Sequence, residues 1–240
     1  MTSAQTRVLV TGGSGRLASA LRPYFPFGQF PSKAELNVAD QRSVQECVKR
    51  VGAPSLIIHA AAETRPDAPT ASYRQNNIVG TVHVASLADR VGARLVYLST
   101  DAVYPGIRKH QAEWEPVLPT SAYAQSKYAG EIIALSNGNT LVIRGSWYST
   151  LDYTHAATDA FTSAVPVDRA AAWVAQLAVS SATGVINVGG TRRSRYEVML
   201  EFNQRVQPCT RADWRSLGFC HPIPADLSLD TQRLRGLLKQ

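Results

Sequence analysis

The sequence predicts an α/β protein built on a doubly wound parallel sheet, with a small C-terminal lobe. Short apolar runs alternate with helical patterns over residues 7–144, and this alternation implies right-handed crossovers between parallel strands. A glycine-rich turn joins the first run to the first helical pattern. The 240 residues suffice for one sizeable domain and a second, smaller lobe.

Composition narrows the class of protein. No apolar run approaches the roughly 18 residues that a membrane span needs, and Met1–Thr6 carries no signal-peptide pattern. The three cysteines, Cys47, Cys209 and Cys220, form no metal-binding cluster, so we expect a cytoplasmic protein without a metal. The net charge of +7 is scattered, which favours attraction of a small anion such as a nucleotide over nucleic-acid binding. We therefore expect neither nucleic-acid nor membrane partners.

The glycine turn predicts a dinucleotide site. Residues 7–10 form an apolar strand and residues 16–21 a helix, with the spacing Gly12-x-x-Gly15-x-x-Ala18 across the turn. Glycines let the backbone approach a pyrophosphate closely, and the alanine is small enough for tight helix packing. The strand before the turn and the helix after it make a random loop the weaker interpretation.

The segment after the first helix bears on the choice of cofactor. Any second strand is short, around residues 28–30, and no carboxylate follows it until Glu35. An NAD site usually carries an acidic residue here for the ribose 2′-hydroxyl. Arg16 and Lys33 would instead meet a 2′-phosphate. We therefore predict that NADPH is preferred, with NADH possible.

The remaining elements continue the alternation. The predicted segments are a helix over 40–51 capped by Asp40, a strand over 55–59, a helix over 73–91, a strand over 94–99, a loop over 101–120, a helix over 121–136, a strand over 140–144, a helix over 166–179, a strand over 184–188, and helices over 196–206 and 230–238. His59 has no partner in the sequence pattern, so we expect a packed residue at a strand end rather than a catalyst. In a parallel sheet, Thr100 and the small residues 60–62 fall at the same edge as the glycine turn.

Tyr123 and Lys127 stand four positions apart in a predicted helix, so their side chains share one face. A neighbouring ammonium stabilises a phenolate, which predicts a tyrosine pKa below its usual value of about 10. Such a tyrosine transfers protons near neutral pH. Taken alone, the spacing also fits a solvated helix face, and the surrounding motifs decide between the two interpretations.

These motifs together resemble the extended short-chain dehydrogenase/reductases, and within them the dTDP-4-dehydrorhamnose reductase branch. The stretches that carry the resemblance are residues 10–17, 35–40, 59–64, 77–81, 98–104, 123–127 and 144–148. The resemblance implies a Rossmann-like NAD(P)-binding domain over residues 1–148. It also implies a reduced substrate lobe over 149–240, interleaved with the last sheet elements. Relatives carry a longer lobe after Arg144, whereas here about 20 residues lead to Pro166.

The resemblance also implies catalytic roles. Tyr123 would donate a proton to a ketone oxygen as hydride arrives from the nicotinamide, and Thr100 would hydrogen-bond that oxygen. Lys127 would hold the nicotinamide ribose and depress the Tyr123 pKa. Asn77 would support the catalytic helix.

The same resemblance implies the binding residues. With Tyr123 and Lys127, the implied cofactor contacts are Gly12, Gly15, Arg16, Leu17, Ser32, Lys33, Asn37, Val38, Ala60, Ala61, Ala62, Thr64, Asn77 and Ser99. On the substrate side they are Val103, Tyr104 and Trp147.

Three functions stay open. The first is an NADPH-dependent reductase of a keto group on a nucleotide-activated sugar. The second is a sugar-nucleotide epimerase or dehydratase of the same superfamily, which keeps NAD bound. The third is a non-catalytic NADPH-binding sensor or regulatory subunit, suggested by the short lobe. A homodimer through the helices over 73–91 and 121–136 would follow the pattern of the family.

Overall fold

The computed structural model describes residues 6–149, 153–214, 216–217 and 223–238. The strands are β1 (Val8–Thr11), β2 (Leu56–His59), β3 (Arg94–Leu98), β4 (Thr140–Gly145), β5 (Trp147–Tyr148), β6 (His155–Ala157), β7 (Phe161–Thr162), β8 (Val165–Pro166), β9 (Gly184–Val188), β10 (Arg193–Ser194), β11 (Gln207–Cys209) and β12 (Asp226–Leu227). The helices are α1 (Arg16–Leu21), α2 (Gln41–Val51), α3 (Thr70–Tyr73), α4 (Gly80–Val91), α5 (Ala122–Leu135), α6 (Val167–Val179), α7 (Arg195–Leu200) and α8 (Gln232–Leu238).

The main sheet has five parallel strands in the order β1-β2-β3-β4-β9, which confirms the predicted doubly wound α/β class. All residues of β1, β2 and β4 are buried, because helices cover both faces of the sheet. Val10 and Ile58 face a core formed with α1 and α6, whereas Leu9 and Ile57 face the opposite core formed with α2 and α4. The continuous apolar runs in the sequence therefore contribute alternate side chains to the two hydrophobic cores.

The predicted second strand is reduced to a single bridge. Gln29 pairs with Leu9 in parallel, with Val10 N donating to Gln29 O at 2.8 Å and Gln29 N to Val8 O at 2.8 Å. The chain therefore lies on one side of β1 at Gln29 and on the other side at β2. Ligands of open α/β sheets bind where the strand order reverses in this way.

Two predicted helices differ from the structure. The segment over 73–91 begins at Thr70 and is divided into α3, a π-helical turn (Arg74–Val79) and α4. The helix predicted over 196–206 is α7, which ends at Leu200, so its predicted length was wrong. It begins at a capping box between Ser194 and Glu197. The chain then turns into β11, whose backbone pairs with β6 instead of continuing a helix.

The C-terminal part, from Trp147 onward, contributes to the main sheet as well as to smaller sheets of its own. Its short strands form three small sheets, β10-β7-β12, β11-β6 and β5-β8. Its strand β9 completes the main sheet beside β4, and α6 packs against α1. Within the described ranges, no helix has both the length and the apolar character that a membrane crossing requires.

Candidate active site

The glycine turn lies against the end of β2. Gly12 has a φ of +70°, and a Cβ at this position would lie 2.8 Å from Ala61 Cα. The Thr11 hydroxyl accepts a hydrogen bond from Ala61 N at 3.1 Å and contacts His59 Nδ1 at 2.7 Å. Only glycine fits this close approach of two backbones. His59 is 1% exposed and also contacts Thr81 Oγ1 at 3.1 Å, so it packs within the fold as expected.

A cleft of about 300 Å³ opens beside this turn. The predicted cofactor residues that line it are Gly12, Gly15, Lys33, Asn37, Val38, Ala60, Ala61 and Ala62. Four lining residues were missed by sequence reasoning, namely Ser14, Leu36, Glu63 and Asn76. Ser14 and Leu36 lie inside the quoted motifs, so their positions were a usable signal. Glu63 also lies inside such a stretch, residues 59–64, whereas Asn76 stands just before the stretch 77–81 and had no local signal.

Other predicted cofactor residues lie differently. Arg16 is exposed, and Thr64 is exposed outside the lining of the cleft. Leu17 is buried in the core, so only its backbone could reach a ligand at the turn. Both the backbone N–H and the hydroxyl of Ser32 donate to the Glu35 carboxylate.

Helix α5 carries the tyrosine and the lysine. Ser121 caps the helix by accepting from Ala124 N at 3.1 Å, and Tyr123 and Lys127 follow one turn apart. Thr100 lies two residues beyond the end of β3 and is buried, and its side chain is close enough to the Tyr123 phenol to lower the pKa of that tyrosine. The Tyr73 ring lies 6.1 Å from the Tyr123 ring. The structure thus places Thr100 beside Tyr123, with Lys127 one turn further along α5.

The predicted pKa of the tyrosine was wrong in direction. Burial raises the pKa of Tyr123 to about 12, and the nearby Asp101 carboxylate adds to this rise. The Lys127 Nζ lies 4.2 Å from the centroid of the Tyr97 ring, and Lys127 is 3% exposed. Burial lowers the pKa of Lys127 to about 7, although Glu131 on the same helix opposes this shift. Desolvation is therefore the largest cause of both shifts, and the attraction between ammonium and phenolate that the spacing suggested is not among the causes of either.

Asn77 links the cleft to the catalytic helix. It lies in the π-helical turn, where its Nδ2 donates to Ser126 Oγ at 2.9 Å and to Glu63 O at 3.0 Å. Its Oδ1 accepts from Glu63 N at 2.7 Å. Ser126 Oγ donates in turn to Tyr123 O at 2.7 Å. One buried amide therefore fixes the cleft-lining segment relative to α5, and π-helical turns are frequent at such functional positions.

Ser99 and Tyr104 face a buried polar network rather than the cleft. The Ser99 hydroxyl donates to Glu131, whose carboxylate pairs with Arg144 at 2.7 Å. The Tyr104 hydroxyl accepts from Arg144 Nη1 at 2.9 Å. Val103 is fully buried beside Tyr104. The structure does not bring the side chains of Val103 and Tyr104 to an open surface where a sugar could bind.

A second cavity of about 170 Å³ lies in the C-terminal part. Trp147, the third predicted substrate residue, lines it together with Tyr148, Arg195 and Trp214. Arg195 opens α7 and interacts with Asp101, which follows Thr100 directly; burial raises the pKa of Asp101 to about 6. The aromatic and cationic lining suits a ring that carries an anionic group. Among the described residues, no group of three His, Cys, Asp or Glu side chains could hold a metal ion.

Comparison with known families agrees with this geometry. The family model of the RmlD substrate-binding domain matches residues 6–161. This chain belongs to that family. The match covers the glycine turn, Thr100, and the Tyr123–Lys127 pair, and it extends past Trp147.

Three curated proteins illustrate the sequence similarity. The spore coat polysaccharide biosynthesis protein SpsK of Bacillus subtilis is 32% identical over 151 residues, covering 59% of this chain and 53% of that protein. The dTDP-4-dehydrorhamnose reductase of Burkholderia thailandensis is 31% identical over 149 residues, covering 59% and 50%. The methionine adenosyltransferase 2 subunit beta of Pongo abelii is 32% identical over 146 residues, covering 55% and 43%. The chain thus spans about half the length of the curated relatives it matches.

Solved structures extend the likeness over the whole fold. The dTDP-4-dehydrorhamnose reductase of Bacillus anthracis, solved in complex with NADP, has a TM-score of 0.85 at 25% identity, covering 98% of this chain and 92% of that chain. WbmG of Bordetella bronchiseptica, solved with NAD and UDP, has a TM-score of 0.79 at 18% identity, covering 100% and 90%. The Rossmann-like fold of the RmlD relatives therefore includes the C-terminal part of this chain.

Proposed function

We propose that the protein is an NAD(P)H-dependent reductase of a keto group on a nucleotide-activated sugar, similar to dTDP-4-dehydrorhamnose reductase. The observation that carries the proposal is the juxtaposition of Thr100 and Tyr123 one helical turn from the buried Lys127. Asn77 ties this group to the cleft beside the glycine turn. Family membership and the reductases among the relatives support it.

The residues fit a nicotinamide dinucleotide, because Gly12 and Gly15 at the start of α1 present bare backbone to a cleft of about 300 Å³ whose lining also includes small alanines. When bound, the cofactor supplies the hydride. Reduction of a ketone makes an alkoxide, which needs an acid and a hydrogen-bond donor at the same oxygen. Tyr123 acts as the acid, and because burial raises its pKa to about 12 the phenol carries its proton at neutral pH. Thr100 is the second donor, and the buried Lys127 supplies positive charge one helical turn from Tyr123.

We propose further that NADPH is preferred over NADH. Lys33 lines the cleft and Arg16 is exposed at the start of α1, so two cations are available to a 2′-phosphate. The Bacillus anthracis relative was solved with NADP, whereas WbmG was solved with NAD. The dissociation constants of the two reduced cofactors test this, and tighter NADH would overturn it.

The substrate proposal rests on Trp147, which follows the end of β4 at Gly145 and lines the second cavity. The neighbour WbmG was solved with UDP, and the reductase relatives are named for a dTDP sugar. We take a nucleotide sugar as the partner and keep a cytoplasmic homodimer as the proposed working form. Exposed apolar side chains on α4 and α5, including Val82 and Ile132, support such a dimer.

The decisive experiment measures NADPH oxidation with a dTDP-4-keto-6-deoxyhexose. We expect steady turnover in the natural protein and none in Tyr123→Phe, which should still bind the cofactor. Tyr24→Phe, at an exposed position remote from α5, is the matched control and should turn over normally. Absence of turnover on a panel of keto-sugar nucleotides would refute the reductase function. Bound NAD that reacts without net consumption would instead identify an epimerase or dehydratase.

A second candidate is a regulatory subunit that binds NADPH without turnover. It is favoured by relatives of 30–32% identity that are named for a subunit, the methionine adenosyltransferase 2 subunit beta. Stoichiometric NADPH binding with no reaction on a broad carbonyl panel would support it. Loss of all dinucleotide binding would exclude both candidates.

A further inference from the structure

The loop that follows the Gln29 bridge is fastened to the glycine turn. Gly13 N donates to Pro31 O at 2.9 Å, and a Cβ at Gly13 would overlap the Phe30 carbonyl and lie 2.8 Å from Pro31 O. Two residues later, Lys33 lines the cleft. Ser32 is therefore held between the glycine turn and a cleft-lining cation.

A carboxylate already occupies both donors of Ser32. The Ser32 backbone N–H and its hydroxyl each donate to Glu35 Oε2 at 2.8 Å. These two hydrogen bonds, with the nearby Arg50 guanidinium, hold the pKa of Glu35 below its usual value. Glu35 is thus ionised at neutral pH, and it is exposed to solvent on the segment between Lys33 and Leu36, both of which line the cleft.

The position of Glu35 in the sequence relates this arrangement to the recognition of the cofactor's ribose 2′ position. In dinucleotide folds, an acidic residue about 20 positions after the glycine turn accepts from the ribose 2′-hydroxyl, whereas a 2′-phosphate needs donors and cations there. Glu35 stands 20 positions after Gly15. A 2′-phosphate carries up to two negative charges and seeks the same N–H and O–H groups that the carboxylate holds.

We propose that Glu35 is a specificity-determining residue whose carboxylate competes with the cofactor 2′-phosphate for the two donors of Ser32. The proposal rests on the cofactor binding proposed above. Lys33 favours NADPH binding and Glu35 opposes it. The ratio of NADPH affinity to NADH affinity is therefore smaller than the cations alone would give. NADH lacks the phosphate and meets no such competition.

The test is the equilibrium binding of NADPH and NADH to the full chain, measured by calorimetry. Glu35→Gln keeps the size of the side chain and a carbonyl acceptor for Ser32, so the turn stays closed while the charge is removed. We expect NADPH to bind about five- to tenfold more tightly relative to NADH, the size of one charge-assisted contact. Glu46→Gln is the matched control, because Glu46 is exposed on α2 and its loss changes the net charge equally.

A second variant tests the shared donor directly. In a Ser32→Ala background the hydroxyl is gone, so Glu35→Gln should give a clearly smaller gain for NADPH. An equal change for both cofactors, or none, would mean that Glu35 only closes the turn and would overturn the proposal. Binding is read without turnover, so an inactive protein that shows the expected cofactor ratio refutes the reductase function and leaves the role of Glu35 intact.

Discussion

The Arg144 guanidinium donates from Nη2 to Glu131 Oε2 at 2.7 Å, and both side chains are buried. Glu131 also accepts from Ser99, the residue before Thr100, and it lies one turn after Lys127 on α5. The ends of β3 and β4 and the catalytic helix therefore meet at one carboxylate. Removing one partner of a buried pair leaves the other charge without compensation.

Glu131→Gln should accordingly destabilise the protein by about 3–5 kcal/mol, because Arg144 would lose its counter-ion in the interior. Denaturant unfolding followed by circular dichroism measures the change. Glu46→Gln, which removes an exposed carboxylate from α2, should stay within about 0.5 kcal/mol of the natural protein. A loss below about 1 kcal/mol for Glu131→Gln would show that the pair contributes little.

Gly130 on α5 is a point of close packing. A Cβ there would overlap the Tyr97 hydroxyl and lie 2.7 Å from Tyr97 Cζ. We expect Gly130→Ala to cost about 1–3 kcal/mol through overpacking, despite the better helix propensity of alanine. Gly236→Ala on α8 has no atom within 4 Å of the new Cβ and should be neutral or stabilising by up to about 1 kcal/mol. Equal effects of the two changes in thermal unfolding would contradict this.

His59 makes the stability depend on pH. Burial, aided by Lys127, lowers the pKa of His59 from 6.5 to about 3. The unfolded chain therefore binds a proton below pH 6.5 that the folded protein refuses, and stability falls as the pH drops from 6.5 toward 3. The expected loss from His59 between pH 7.5 and 5.5 is about 1.4 kcal/mol.

The comparison with His59→Gln isolates this contribution. Asp101, whose pKa is raised to about 6, titrates in the same range with the opposite sign, and it does so in both proteins. The difference between the two denaturation series should therefore report His59 alone. A difference that is constant across pH would refute the assignment.

Deprotonation of Lys127 should set the alkaline limb of the pH profile of kcat/KM for the reduction. Its pKa is lowered to about 7, whereas that of Tyr123 is raised to about 12, so the lysine loses its proton first. Because kcat/KM reports the free enzyme, it should fall about tenfold per pH unit above pH 7 as the positive charge disappears. Lys127→Arg keeps the charge and should move this limb upward. A flat profile to pH 9 in the natural protein would contradict the prediction.

Much of the cleft could be predicted because its signals are local. The Gly12–Gly15 spacing, the strand before it and the helix after it lie within 15 residues, and the structure has them at the predicted positions. The helical pairing of Tyr123 and Lys127 is local as well. The fold class followed from the same alternation of short segments.

The rest depended on contacts between distant segments. The pKa of Tyr123 is governed by burial and by Asp101 on another element, which the four-residue spacing could not reveal. Val103 and Tyr104 are buried partly through Leu229, from near the other end of the chain. The π-helical turn at Asn77 has no propensity signature, since its reason is the amide contact with Ser126.

The pairing of β4 with β9 has a practical consequence for anyone dividing the protein. A fragment that stops at residue 148 would keep β4 and its partner β3 but lose its second partner β9, and all six residues of β4 are buried in the intact fold. Such a flat apolar edge invites association between copies. It would also expose the α1 surface that α6 covers. The predicted cofactor-binding region is therefore best produced and assayed as the entire chain.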